Sequence, residues 1–169
     1  MVHLPYLLDC GHPGGTRMLP VDDRVMGGHS VSRFRHTDEG TGVFEGVVYL
    51  EDGGFASVRC NLENTDLGAA AGVRIRARGD GHRYRLALRN DRKLSGINHM
   101  QHFTPPAHEW SEIGLRFEDF RPSFRGHEPP DAPPLDRHRI RQLGLMIADE
   151  QEGPFRLEVA WVRGWDGTD

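Results

Sequence analysis

The sequence predicts an all-β chain, an antiparallel β-sandwich of the jelly-roll type, with a β-barrel as the alternative. Three observations predict it. Apolar and polar residues alternate with a period of two in short runs, the spacing of a strand with one buried face. Gly, Asp and Pro interrupt these runs about every 8 to 12 residues, as turns do in a sandwich. No segment long enough for a helix carries a clean apolar stripe, and 21 Gly and 11 Pro in 169 residues favour turns over helices.

The elements follow in order. "GVFEGVVYL" at 42–50 is the first clear strand. "EDGG" at 51–54 turns the chain, and "FASVRCN" at 55–61 is its expected hairpin partner, because Asp-Gly between apolar runs is a strong hairpin cue. "AGVRIRAR" at 71–78 puts Val73, Ile75 and Ala77 on one face and Arg74, Arg76 and Arg78 on the other. "GDG" at 79–81 is a tight turn into "HRYRLALR" at 82–89, which points Tyr84, Leu86 and Leu88 inward and Arg83, Arg85 and Arg89 outward. "GINHMQHF" at 96–103 and "EWSEIGLRF" at 109–117 are two further strands. "RPSFRGHEPPDAPPLD" at 121–136 holds too much Pro for a sheet interior and reads as an irregular loop across one end of a sheet. "RHRIRQ" at 137–142 reads as a short helical turn, and "QLGLMIAD" at 142–149 as a central strand. "GPFRLEVAWVRGW" at 153–165 alternates with Phe155, Leu157, Val159 and Trp161 on one face.

The length fits a single core. Residues 1–19 are expected to form an N-terminal extension packed on one jelly-roll domain at 20–169. The net charge of −4 is too mild for a polyanion partner, so no nucleic acid is expected. Lys93 is the only lysine, so the basic surface is arginine. Two cysteines, Cys10 and Cys60, can build neither a disulfide framework nor a tetrahedral zinc site unaided, and reduced thiols are expected. "MVHLPYLLDC" has no basic n-region, and no window approaches the roughly 18 apolar residues of a membrane span. A cytoplasmic chain that does not span a membrane is expected.

Candidate sites are sparse. "VDDRVMGGHS" at 21–30 offers two carboxylates and a His, the start of a metal or acid–base site, beside a Gly pair that suits turn chemistry. A structural calcium ion would draw on Asp22, Asp23 and Glu158, if the N-terminal loop meets the last strand. His99 and His102 are three apart and fall on opposite faces of a strand, so they do not share a metal. No nucleophile elbow, phosphate-binding loop or dinucleotide fingerprint is present, and no enzyme is expected. "RGD" at 78–80 reads as part of the turn. The distinctive surface is arginine: Arg74, Arg76, Arg83, Arg85 and Arg89 share one face of the expected hairpin, with Trp110 near them. That face is either a groove for an anionic or polyhydroxyl ligand, or a solvated face balanced by acids such as Glu112 or Glu158. Trp110, Trp165 and Tyr49 are the aromatic candidates for stacking a sugar.

Five segments in order resemble the complex I intermediate-associated protein family: "VDDRVMGGHS" (21–30), "GGFASVR" (53–59), "RGDGHRYRLALR" (78–89), "FEDFRPSFRG" (117–126) and "LGLMIADEQEGPFRLEV" (143–159). Asp23, Val25, Met26, Gly27, Gly28 and Ser30 match its first motif, Gly53, Gly54, Phe55, Ser57 and Arg59 its second, and Gly79, Asp80, Gly81 and Tyr84 its third. The resemblance implies a galactose-binding-domain-like jelly roll and a non-enzymatic binding or assembly-factor module. The implied partner is a protein, a respiratory complex component. It implies no cofactor. The fold also links the family to carbohydrate-binding modules, so a lectin-like module with a structural calcium ion is the alternative. The chain lacks a mitochondrial transit-peptide pattern and reads as a bare bacterial domain. The first motif is expected to be a loop that packs back over the sheet. Val25 and Met26 would plug the core, and Asp23 would be held by backbone N–H groups or an Arg.

Overall fold

The computed structural model describes residues 4–12, 17–93 and 96–168. Residues 1–3 and 13–16 of the expected extension lie outside the described residues. Among those described, the strands are β1 Tyr6–Asp9, β2 Leu19–Pro20, β3 Val31–His36, β4 Gly42–Val48, β5 Ala56–Thr65, β6 Gly72–Arg78, β7 Tyr84–Arg89, β8 Asn98–Phe103, β9 Trp110–Arg116, β10 Arg121–Ser123, β11 Ile140–Ile147 and β12 Gly153–Trp165. The first sheet has the order β3-β4-β12-β6-β9, with β1 also paired to β12. The second has the order β10-β8-β7-β11-β5-β2. Every pairing between these strands is antiparallel. The predicted sandwich is therefore the structure.

Alternation explains the core. Val73, Ile75 and Ala77 of β6 face inward with Leu157 and Val159 of β12, and they meet Tyr84, Leu86 and Leu88 of β7 and Leu143, Leu145 and Ile147 of β11. Burying each large apolar side chain stabilises by about 1.5–3 kcal/mol. Phe44 joins the layers, with its ring 4.9 Å from Phe155 and 6.3 Å from Tyr84. Cys10 and Cys60 are buried free thiols in this core. β11 is central in its sheet, as its apolar sequence predicts, lying between β7 and β5.

Both expected hairpins are absent. β4 and β5 lie in different sheets, and so do β6 and β7. The turns at 51–54 and 79–81 carry the chain across the sandwich. Period two reports which face of a strand is buried but not which sheet the strand joins. A face that points inward from either sheet has the same sequence pattern. Trp161 also departs from expectation. The pairing of β12 with β6 slips between Val159 and Trp161, which returns Val162 to the interior and places Trp161 opposite Arg76 on the outer face. The strands before residue 42 were not predicted. Leu7 and Leu8 of β1 are core residues, so the expected extension contributes to the first sheet. The expected helical turn at 137–142 is a turn at 137–138 followed by β11.

Candidate functional site

The chain passes from β2, at the edge of the second sheet, to β3, at the edge of the first, through residues 21–30. These two edges would otherwise expose unpaired backbone. Asp22 and Asp23 stitch them. Asp22 Oδ1 accepts from the Ser32 hydroxyl of β3 at 2.6 Å and from the Ser57 N–H of β5 at 3.0 Å. Asp23 is fully buried and begins a 3-10 turn over Asp23–Met26. Its Oδ1 accepts the Ser30 N–H at 2.9 Å, and its Oδ2 accepts the Ser30 hydroxyl at 2.7 Å and the Gly54 and Phe55 N–H groups at 2.7 and 3.3 Å. Burial is the largest single influence on this carboxyl and opposes ionisation. The Ser30 hydroxyl and the amides of Gly54, Ser30 and Phe55 outweigh it and hold Asp23 below the usual carboxylate range.

The glycines of the motif follow from this carboxylate. Gly27 closes the 3-10 turn at φ 87°, in the left-handed region. A Cβ on Gly28 would lie 2.5 Å from Asp23 Cγ, and one on Gly53 would lie 2.4 Å from Asp23 Oδ2. The expected backbone grip on Asp23 is thus present, and among the described residues no Arg joins it.

Val25 and Met26 do not plug the core. They are 67% and 68% exposed, on the outer side of a turn whose inner side is Asp23. A 3-10 turn of four residues can send only part of its side chains inward, and here the acid takes that place. Leu19, Val31, Tyr49 and Leu50 are also exposed, and they belong to the same stitched segments. Ser30 Oγ accepts the Tyr49 N–H at 3.0 Å, and the Gly53 N–H binds the Leu50 carbonyl at 3.3 Å. The other exposed large apolar side chains among the described residues are Tyr6 and Phe124. Apolar exposure is therefore concentrated on this edge. A cleft of about 610 Å³ adjoins it on the first sheet, lined by Val31, Val47, Pro154, Arg33, Glu45 and Arg156 among others.

The five arginines do not form one groove, because β6 and β7 belong to opposite sheets. Arg74 and Arg76 lie on the first sheet near Glu112, at 3.8 and 3.5 Å. Arg83 and Arg85 lie on the second sheet and pair with Asp149. Arg89 is buried on that sheet, paired with Asp91 at 3.2 Å. Trp110 is packed between Arg76 and Arg78, whose guanidinium carbons lie 5.3 and 5.1 Å from its ring centre. Trp165 is packed by Arg74 and Arg116 at 5.4 and 5.1 Å. Trp161 is capped by Arg163 at 4.4 Å. Cation–π packing of this kind occupies ring faces that a sugar would need. Tyr49 is exposed, at the apolar edge rather than in an arginine groove.

The expected calcium trio is not assembled. Glu158 is spent on Arg78 at 2.6 Å and on the Thr41 hydroxyl at 2.6 Å, while Asp22 and Asp23 face Ser32, Ser57, Ser30, Gly54 and Phe55. Among the described residues no group of three or more His, Cys, Asp or Glu side chains is arranged to hold a metal. Gly79, Asp80 and Gly81 form a second node. Asp80 accepts the His82 N–H at 3.1 Å, the Tyr84 hydroxyl at 3.0 Å and the Arg156 N–H at 2.6 Å, fixing the crossover from β6 to β7 against β12.

A two-sheet antiparallel sandwich is an architecture shared with carbohydrate-binding modules. A family 11 carbohydrate-binding module of a Clostridium thermocellum cellulase superposes with a TM-score of 0.74 at 16% identity, covering 100% of this chain and 98% of that one. The agarase AgWH50C gives a TM-score of 0.61 at 11% identity, covering 97% of this chain and 25% of that one. These likenesses concern the fold. The model of the Complex I intermediate-associated protein 30 family matches residues 14–159, and the chain belongs to that family. An uncharacterized protein of Schizosaccharomyces pombe is 27% identical over 165 residues, covering 85% of this chain and 75% of that protein. The mitochondrial complex I intermediate-associated protein 30 of Mus musculus is 27% identical over 92 residues, covering 52% of this chain. That match spans 28% of the mouse protein. Among the described residues no helix is long and apolar enough to cross a membrane.

Proposed function

We propose that the chain is a non-catalytic docking module of the assembly-factor type, and that it holds a protein partner through its apolar edge. The observation that carries this reading is the exposure of Val25 and Met26 on a turn anchored by the buried Asp23. A rigid mount for exposed apolar side chains lowers stability in isolation and makes sense as a prepared contact. Met adds an adaptable surface. The partner class comes from the family: a component or intermediate of respiratory complex I. The carbohydrate reading is weaker, because Trp110, Trp161 and Trp165 already carry guanidinium groups on their rings.

The test is a double variant, Val25→Asp with Met26→Asp, assayed for capture of purified complex I assembly intermediates. Surface substitutions of this kind should move stability by roughly 0.5 kcal/mol or less. Capture should weaken by about tenfold or more, the loss expected from removing two contact anchors. Equal capture by wild type and variant, or none by wild type, would reject the proposal. A glycan array run beside it should stay blank.

A further inference from the structure

The ends of the two sheets differ in how they are finished. A sheet edge is a row of unpaired N–H and C=O groups, and short strands, proline or a covering segment normally blunt it. β2 and β10 end the second sheet with two and three residues, and each contains a proline, Pro20 and Pro122. β3, at one end of the first sheet, is tied to the segment before it through Ser32 and Asp22. β9, at the other end, has seven residues and no proline, and among the described residues its only strand partner is β6. The Phe117 N–H binds the Ala71 carbonyl at 3.0 Å, and the direction of hydrogen bonding alternates along an antiparallel strand. Ser111, Ile113 and Leu115 therefore turn their backbone groups toward β6, whereas Trp110, Glu112, Gly114 and Arg116 turn theirs to the open edge. On that edge the Arg116 carbonyl accepts the Gln101 side-chain amide at 2.9 Å. Glu112, Gly114 and Arg116 are exposed, and the inward Ile113 is only half-buried. Trp165 packs over the face of Gly114. Glu112 and Arg116 stand on the same outer face, on either side of Gly114. The Glu112 side chain is 39% exposed and meets Arg74 and Arg76 at 3.8 and 3.5 Å. Arg116 donates to the Gly167 carbonyl at 3.3 Å, and among the described residues no carboxylate pairs with it.

We infer that β9 is a self-association edge, to which a second copy of this chain adds its own β9, antiparallel and about a twofold axis at Gly114. That register sets Glu112 opposite the partner's Arg116 and Arg116 opposite the partner's Glu112. The twofold axis repeats every contact, so one charge pair becomes two. On the inner face it covers the half-buried Ile113 with the partner's Leu115. The open N–H and C=O groups of Glu112, Gly114 and Arg116 supply the main-chain bonds, as in other strand additions. Such a contact is smaller than a standard stable interface, so the dimer is weak, with a Kd of about 100 μM. β9 and β3 lie at opposite ends of the first sheet. Pairing through β9 therefore does not draw on Val25 and Met26, and the inference stands apart from partner docking there.

Sedimentation of the full chain over concentrations from about 5 μM to about 1 mM should show its mass rising from one chain toward two. Over the same range, NMR hydrogen exchange at the Glu112, Gly114 and Arg116 amides should slow by about threefold or more, while Ile113 and Leu115, already bonded to β6, stay unchanged. Glu112→Arg alone sets Arg opposite Arg, and Arg116→Glu alone sets Glu opposite Glu. Each variant should weaken self-association by about tenfold or more. An equimolar mixture of the two should associate again, because each then meets the opposite charge on the other. Circular dichroism checks that the variants fold, and if either does not, the exchange of the wild-type amides decides. The Val25→Asp, Met26→Asp protein should associate as wild type does. A chain that stays single at the top concentration, amides of β9 indifferent to concentration, folded single variants that associate as wild type does, a mixture no tighter than its components, or loss of association in the Val25→Asp, Met26→Asp protein would overturn the inference.

Discussion

Asp23 decides the character of the first motif. Four donors converge on its carboxylate, and they come from residues 30, 54 and 55. Asp23→Ala would strand these donors in a buried place, so it should destabilise by about 3 kcal/mol or more, read as a fall in the denaturant midpoint at unchanged slope. Asp23→Asn should cost less, because it keeps one acceptor oxygen. The acid dependence has a definite sign. The folded-state pKa of Asp23 is lowered, so its contribution is present above the unfolded value near 4 and is lost as pH falls through the lower folded value. A urea series from neutral pH downward should show part of the acid loss missing in Asp23→Asn. An identical acid limb in both proteins would contradict this account. The sequence makes Asp-Asp and Gly-Gly legible as turn chemistry. It does not reveal that Val25 and Met26 face solvent, because apolar residues carry no label for the side of a short turn they occupy. A partial signal exists: two apolar residues directly before a Gly pair, in a segment without period two.

The strands show where pattern reading succeeds. β6, β7 and β11 are long enough for alternation to fix their inward faces. β1, β2 and β10 have four, two and three residues, too few to display a period. The shift in β12 between Val159 and Trp161 is invisible in composition, yet it places Trp161 among the outer arginines. The arginines of β6 also separate into two kinds. Arg76 faces Glu112, which is 39% exposed, whereas Arg78 faces Glu158, which is buried. Arg76→Ala should therefore cost less than about 1 kcal/mol. Arg78→Ala leaves a buried carboxylate short of its partner and should cost about 3 kcal/mol. Thermal and urea unfolding of the two variants measures the difference, and equal costs would remove the distinction. Neither pairing could be read from alternation, which places all three arginines alike.

At the scale of the molecule, fold class and family were legible, whereas the course of the chain between the sheets was not. Five short motifs in order carry the family, and each of the first three is a node or a crossover in the structure. β12 joins β4 to β6 and also holds β1, while β11 joins β7 to β5. Each sheet thus owes its centre to one of the last two strands in chain order. A chain that has not yet formed β12 can hold β3 with β4 and β6 with β9 only as separate pairs. Its apolar faces are open during that interval, a period when early strands are exposed to misassociation. Arrested chains stopped at residue 152 should remain protease-sensitive and should react with iodoacetamide at Cys10 and Cys60, whose thiols burial raises to about 12 in the finished fold. A chain that includes residues 153–165 should silence both thiols together, so closure of the first sheet waits on β12.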